Sequence, residues 1–146
     1  MNKTPTRSEY KVFYPVLTRW KDNDTYGHVN NVEYYSYFDT VVNLHLIKNH
    51  VLDIHESKII GFVVNSGCTF VAPVAYPDSL EVGLRVEKLG RSSTQYGVAI
   101  FKDGAGTASA YGHLVHVFVD RSTNKSVAIP DNIRSVLEDL YLEDIK

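Results

Sequence analysis

The most polar segment of this chain, DNDTYGHVNN at residues 22–31, directly precedes one of its most apolar segments. It carries two carboxylates, one histidine, one glycine and three asparagines. Carboxylates and histidines are side chains that commonly transfer protons or attack acyl carbons. The composition of this segment therefore predicts a site for acid–base or nucleophilic chemistry.

The end of the polar segment has the sequence of a helix start. Asn30 followed by Glu33 has the spacing of a capping box, with Asn in place of the usual Ser or Thr. A helix N-terminus has unpaired N–H groups and a partial positive charge, which suit a carbonyl oxygen that becomes negative during acyl transfer. We expect the amides of Asn31 and Val32 to be the candidate donors.

Asp24 is the candidate catalytic carboxylate, because a turn at Gly27 can fold it back over the helix end. There it could attack an acyl carbon or activate a water molecule. His28 could donate a hydrogen bond or shuttle a proton. The structural alternative is that Asp22 and Asp24 form turns and that His28 is a solvated loop residue. Asp22 is expected to point away from Asp24 and to matter much less for turnover.

The flanking segments predict the elements that hold this loop. Pro15 indicates an edge strand or a bulge. Apolar residues at helical spacing then predict a helix that is buried on most sides. We predict one α+β domain over residues 1–146, in which an antiparallel sheet curls around the helix. The predicted strands are residues 10–20, 59–74, 80–88, 93–102 and 107–120, and the predicted helices are residues 31–49 and 133–142.

Composition narrows the class of protein. The formal net charge is −2 and the pI is near 6.3, so nothing indicates a nucleic-acid-binding surface. Cys68 is the single cysteine, so no internal disulfide is possible and a reducing compartment is expected. The sequence shows no signal peptide and no membrane-spanning run. We therefore expect a cytoplasmic protein that binds neither nucleic acid nor membrane.

The remaining histidines do not predict a metal site. His113 and His116 are three residues apart on a predicted strand and should point to opposite faces. His45 and His50 are five residues apart on the predicted helix and diverge. No Gly-rich phosphate loop or G-x-S-x-G motif is present.

The pattern D-x-D-x-x-G-H-V-N-N-x-x-Y at residues 22–34 resembles the signature of hotdog-fold acyl-CoA thioesterases of the 4-hydroxybenzoyl-CoA thioesterase type. The segments VNSGCTFVAPVAYPDSLEV and LGRSSTQYGVAIF resemble strands of the same family. The resemblance implies a hotdog fold, an antiparallel sheet wrapped around a long central helix. It further implies a homodimer with acyl-CoA clefts at the subunit interface, and hydrolysis without metal or cofactor. The exposed edge of a single curved sheet also predicts a homodimer, or a homotetramer built as a dimer of dimers.

The resemblance also implies roles for particular residues. Asp24 occupies the position of the catalytic carboxylate, and the N–H of Asn31 that of the amide that polarises the carbonyl. The loop also resembles that of plant acyl-carrier-protein thioesterases, where an Asn and a His follow the Asp. His28 matches that His, whereas Tyr26 stands where the Asn would be. The resemblance places the turn with Arg91, Ser92 and Ser93 near the CoA phosphates, and these residues, with Val32 at the helix start, are the candidate substrate-binding residues.

Two other functions remain open from the sequence. The first is a hotdog enoyl-CoA hydratase or dehydratase, for which His28 and Glu33 are the nearby acid–base residues. The second is a non-catalytic acyl-CoA-binding protein. The sequence defines neither the acyl group nor whether Asp24 acts as nucleophile or general base.

Overall fold

The computed structural model describes residues 3–142. Two short 3-10 turns, at Arg7–Glu9 and Trp20–Asp22, flank the first strand. The strands are β1 (Val12–Leu17), β2 (Ile59–Phe70), β3 (Ser79–Leu89), β4 (Ser93–Lys102) and β5 (Ala110–Asp120), and the helices are α1 (Asn31–Lys48) and α2 (Asp131–Glu138).

The five strands form one antiparallel sheet in the order β1-β3-β4-β5-β2, and α1 packs against it. This arrangement confirms the predicted α+β hotdog fold. β1 lies at one edge of the sheet, where Pro15 pairs with Glu81 and its missing N–H costs no bond in the sheet interior. The prediction of an edge position for the strand with Pro15 is therefore confirmed. β2 forms the other edge and pairs on one side only, with β5.

Most element boundaries lie within a few residues of the predicted ones, and the differences have local causes. β2 ends at Phe70 rather than at residue 74, because the amides of Val71 and Ala72 both donate to the oxygen of Ser109 and Pro73 has no N–H with which to resume the pairing. α2 begins at Asp131, directly after Pro130 with φ −59°, a backbone angle that suits a helix start. The predicted helix thus starts two residues too late, and it ends at Glu138 rather than at residue 142.

The core lies between α1 and the inward-facing residues of β3, β4 and β5. Burial of each large apolar side chain stabilises the fold by roughly 1.5–3 kcal/mol. The prediction that α1 is buried on most sides is wrong for one face, since Val32 is 65% and Ile47 41% exposed. One sheet covers only one side of a helix. The buried α1 residues are Tyr34, Tyr37, Phe38, Val41, Val42, His45 and Leu46.

No helix within residues 3–142 combines the length and the apolar character needed to cross a membrane.

Candidate active site

The loop between β1 and α1 folds back on itself, as the sequence predicts. The amide of Asp24 donates to the carbonyl oxygen of His28 over 2.8 Å, and the amide of Gly27 donates to the carbonyl oxygen of Asp24 over 3.2 Å. Gly27 has φ +83°, a left-handed backbone that glycine adopts without steric cost. The turn at Gly27 therefore places Asp24 beside the residues that lead into α1.

Asn30 caps α1, but Glu33 does not complete the predicted capping box. The side-chain oxygen of Asn30 accepts from the Val32 amide at 3.2 Å, which confirms the predicted cap. The Asn30 amide donates instead to the backbone oxygen of Asp22 at 2.8 Å. The carboxylate of Glu33 lies 3.6 Å from the guanidinium of Arg19. The capping-box role of Glu33 is therefore wrong, because Asp22 already satisfies the amide that Glu33 would bind.

This capping leaves one free donor at the start of α1. The Val32 amide is taken by Asn30, whereas the Asn31 amide donates to no group in residues 3–142. Of the two predicted donors, only Asn31 is thus available to a substrate oxygen. The Val32 side chain is exposed and does not line the cavity described next.

An open cavity of about 290 Å³ lies against the start of α1. Its apolar wall includes Tyr34 and Phe70, whose rings meet edge to face with centroids 4.9 Å apart. Burial raises the pKa of the Tyr34 hydroxyl, so this ring stays neutral. The cavity therefore combines an apolar wall with polar groups at the helix end. Its lining residues are His28, Val29, Asn31, Tyr34, Phe70, Val71, Ala72 and Pro73.

Asp24 lies next to this cavity without lining it. One carboxylate oxygen accepts from the amide of Tyr26 at 2.8 Å and from that of His28 at 3.5 Å. The other oxygen has no hydrogen-bond partner in the described part of the chain. The side chain is partly exposed. The structure thus brings His28 and Asn31 together at the cavity and places a half-free carboxylate beside them.

The Asp22 carboxylate shares no hydrogen-bond partner with that of Asp24 in residues 3–142, and Asp22 is a buried residue rather than an exposed turn residue. Its side chain is 0% exposed and accepts the hydroxyl of Tyr37 at 2.6 Å. Burial tends to raise the pKa of Asp22, but hydrogen bonds from Tyr37 and Arg19 outweigh it and hold the pKa below its usual value. Because Asp22 is enclosed and fully engaged, Asp24 is the accessible carboxylate of this loop.

The residue pair that a hydratase would need is not assembled. His28 lines the cavity, whereas the carboxylate of Glu33 faces Arg19. No hydrogen bond between His28 and Glu33 occurs within residues 3–142.

The turn with Arg91, Ser92 and Ser93 lies at the other end of the sheet. The register of the paired strands aligns Phe70, at the cavity, with Val82 of β3. Leu89, which precedes the turn, lies seven residues farther along β3, or about 23 Å at 3.3 Å per residue. One copy of the chain therefore does not bring this turn to the cavity, and its predicted role requires a second copy.

The histidines on β5 point to opposite faces, as predicted. His116 is 1% exposed and lies on the inner face of the sheet, with its Nδ1 3.4 Å from the hydroxyl of Tyr96. His113 lies on the outer face and shares a hydrogen bond of 2.7 Å with Asn65. Among residues 3–142, no group of three or more His, Cys, Asp or Glu side chains is arranged to hold a metal ion.

Comparison with known proteins supports the thioesterase superfamily that the motif indicates. The thioesterase-like superfamily matches residues 18–137. This chain belongs to that superfamily. The match covers the loop, α1 and all strands after it, so the superfamily supports thioester hydrolysis as the general reaction.

Solved structures show the same fold over nearly the whole chain. The PA5185 protein of Pseudomonas aeruginosa is 50% identical, with 97% of this chain and 99% of that chain covered and a TM-score of 0.94. The PA2801 protein of the same organism is 30% identical, with 86% and 97% covered and a TM-score of 0.79. A 1,4-dihydroxy-2-naphthoyl-CoA thioesterase from Synechocystis is 18% identical, with 88% and 96% covered and a TM-score of 0.79. At that identity the likeness shows the fold.

Sequence reasoning missed the cavity wall and the partner of Asp22. Phe70 and Pro73 follow α1 by more than twenty residues, so no local spacing links them to the loop. Tyr37 lies on the apolar pattern of α1, and helical periodicity does not distinguish a packing tyrosine from one whose hydroxyl binds a buried carboxylate. A tyrosine on the buried stripe of a helix that follows an acidic loop is the signal that could have indicated this pair.

Proposed function

We propose that this protein hydrolyses acyl-CoA thioesters to a free acid and CoA. The observation that carries this proposal is the unpaired Asn31 amide at the start of α1, at an apolar cavity and next to the half-free carboxylate of Asp24. A thioesterase needs a donor for the developing oxyanion and a group that attacks or activates water. The superfamily match supports the reaction class.

In the proposed reaction, the thioester carbonyl accepts a hydrogen bond from the Asn31 amide. Asp24 either takes a proton from a water molecule that attacks the carbonyl carbon, or attacks that carbon itself to form an anhydride that water then hydrolyses. In both routes the carbon–sulfur bond breaks, and the CoA thiolate leaves and gains a proton. His28, at the cavity, is placed to donate a hydrogen bond or to return that proton.

The loop pattern at residues 22–34 supports a place among the 4-hydroxybenzoyl-CoA thioesterase type of this superfamily. The aromatic wall formed by Tyr34 and Phe70 can hold a flat or branched apolar acyl group.

We further propose that the protein acts as a homodimer, or as a dimer of dimers, joined at the free edge of β2. This strand exposes large apolar side chains, with Phe62 60% and Val64 53% exposed, and an open apolar edge is a site for strand pairing. The cavity of about 290 Å³ also falls at the small end of ligand sites, as expected if a second copy supplies the rest. Sedimentation at micromolar concentration should give a dimer or tetramer; a monomer alone would reject the shared site.

A panel of acyl-CoA substrates tests the proposed function directly. Short-chain, long-chain and aromatic acyl-CoA are incubated with the protein, and release of free CoA is followed with a thiol reagent. At least one member should turn over. Tight binding without turnover would favour a binding protein, and hydration of an enoyl-CoA without thiol release would favour a hydratase. Either result would reject the proposal.

A further inference from the structure

The reaction proposed above makes no use of the most deeply buried carboxylate of the loop. Asp22 accepts hydrogen bonds from the hydroxyl of Tyr37 at 2.6 Å and from the backbone amide of Arg19 at 2.9 Å. The guanidinium of Arg19 also donates to Asp22, from Nε at 3.1 Å and from Nη2 at 2.9 Å. Every contact of this carboxylate is therefore with the protein itself.

These contacts surround the residue whose amide we assign to the oxyanion. The backbone oxygen of Asp22 accepts the amide of Asn30, which directly precedes Asn31. Arg19 connects the Asp22 carboxylate to Glu33 in the first turn of α1. Tyr37 lies in the second turn. Asp22 thus contacts the chain at Asn30, before the Asn31 amide, and at two positions after it, Tyr37 directly and Glu33 through Arg19.

Stability alone is a weak reason for such an arrangement. Taking a carboxylate out of water is costly, and apolar side chains of similar volume are often as stable as a buried ion pair. A buried carboxylate with all its hydrogen bonds formed does fix the orientation of its neighbours, since each bond constrains the segment that donates it. What it constrains here is the angle at which the chain enters α1.

We propose that Asp22 is a positioning residue that, with Tyr37 and Arg19, aims the Asn31 amide at the substrate carbonyl. The effect on turnover rests on the proposed function. A misplacement of about 1 Å costs about 100-fold in rate. Loss of one oxyanion donor costs about 100- to 1,000-fold. Because Asp22→Asn or Tyr37→Phe would loosen the amide without removing it, we expect each substitution to lower kcat about 10- to 100-fold.

The test uses the full-length chain with Asp22→Asn, Tyr37→Phe and the double variant. The matched control is Tyr14→Phe, which removes a half-buried tyrosine hydroxyl that bonds His45 near the other end of α1. For each variant we would measure kcat, the melting temperature, and the Kd of a non-hydrolysable thioether analogue of the best substrate. Tyr37→Phe keeps the carboxylate and Arg19 together, so it carries the test if Asp22→Asn does not fold.

The expected result separates positioning from general stability. Asp22→Asn and Tyr37→Phe should lower kcat while the analogue Kd changes by less than about threefold, because the cavity wall is intact. The double variant should be hardly worse than the worse single variant, since both substitutions act on the bond between Tyr37 and Asp22. Tyr14→Phe should lower the melting temperature comparably and leave kcat within about twofold. A kcat that follows the melting temperature in all variants, or an unchanged kcat in Asp22→Asn, overturns the proposal.

Hydrogen exchange of single amides keeps this test separate from the proposed function, because it requires no substrate. The amides of Asn30, Val32 and Glu33 are bonded in the native loop and first turn. Their exchange should be faster in Tyr37→Phe and Asp22→Asn than in Tyr14→Phe. Inactivity of the wild-type protein on the whole acyl-CoA panel would reject the proposed function alone. Unchanged exchange at these three amides would reject the positioning role alone.

Discussion

The two ends of α1 use their polar groups differently. Near the C-terminal end, the hydroxyl of Tyr14 lies 2.5 Å from Nδ1 of His45, and the side chain of Asn49 donates to the backbone oxygen of His45 at 2.8 Å. At the N-terminal end, the Asn31 amide and one oxygen of Asp24 have no partner in residues 3–142. We call the first end closed because its polar groups bond one another, and the second end open because it keeps an unpaired donor and acceptor beside a cavity.

The difference shows how a site can be distinguished from a structural polar cluster. Buried or half-buried polar groups are nearly always paired, because an unpaired group loses its bonds to water. Groups left free beside an apolar cavity can be paired by a ligand instead. The positive end of the helix dipole also lies at this open end, where it favours a developing negative charge.

The largest effect is expected for Asp24→Asn at the open end. The substitution removes the charge, nearly preserves the shape and should lower the single-turnover rate about 100- to 10,000-fold. The melting temperature should stay close to that of the wild type, because Asp24 is partly exposed and Asn is tolerated in turns. Single-turnover hydrolysis with melting curves measures both effects.

Asp53→Asn is the matched control for Asp24→Asn. Asp53 lies in the loop after the closed end of α1, and its carboxylate accepts the amides of His55 and Glu56 much as Asp24 accepts two loop amides. Its substitution should leave turnover within about twofold. Equal effects of the two substitutions, or wild-type turnover in Asp24→Asn, would contradict the assigned site. Asp22→Asn is unsuited as a control because Asp22 is buried.

The next largest effect is the dependence of stability on pH caused by His116, which pairs with Thr94 near the Arg91 turn. Burial lowers the pKa of His116 to about 4, because the charged imidazolium loses its hydration. The unfolded chain binds the proton near pH 6.5, so the stabilisation is complete above that pH and is lost as the pH falls toward about 4. The loss should be on the order of 3 kcal/mol.

Urea unfolding at several pH values between about 7.5 and about 4.5 measures this loss. His116→Phe should have a flatter profile than the wild type, because it removes the titrating group and keeps an aromatic ring beside Tyr96. His113→Gln, on the outer face of the same strand, should keep the wild-type slope. Parallel profiles for the wild type and His116→Phe would show that acid sensitivity arises elsewhere.

A smaller effect is expected from removing the cap of α1. Asn30→Ala loses the bond to the Val32 amide and should cost about 1 kcal/mol of stability. It should also lower kcat several-fold, because the first turn then frays beside the Asn31 amide. Asn49→Ala, at the closed end, should cost comparable stability without changing kcat. If both substitutions lower kcat equally, the two ends do not differ in function.

The smallest effect is expected for Arg91→Ala. If a second copy brings this turn to the cavity, the substitution should raise KM a few-fold at low salt, leave kcat unchanged and have less effect at high salt. Lys88→Ala, near the same turn, is the control. An unchanged KM would show that Arg91 is an ordinary surface charge. The site would then include only residues at the open end of α1.

Much of the fold and part of the site could be predicted from the sequence. Alternating apolar residues predicted β3 to within one residue, because side chains in a strand alternate between two faces, and the turn signals on either side of β4 predicted its bounds. The start of α1 was predicted at Asn31, because a cap and helical periodicity act over a few residues. β2 was predicted too long because apolar residues continue past its end, where the amides of Val71 and Ala72 instead bond the oxygen of Ser109.

The sequence by itself determined that a carboxylate, a histidine and a helix start lie within ten residues of one another, because a short loop permits no other arrangement. Only the tertiary structure decided that Asp22 is enclosed and Asp24 accessible, since that depends on Tyr37 packing over the loop. It likewise decided that Phe70 forms the cavity wall and that the turn with Arg91 begins about 23 Å along β3 from the level of that wall, at 3.3 Å per residue. Burial and distance depend on which distant segments pack together, whereas caps, turns and periodicity depend on neighbours in the chain.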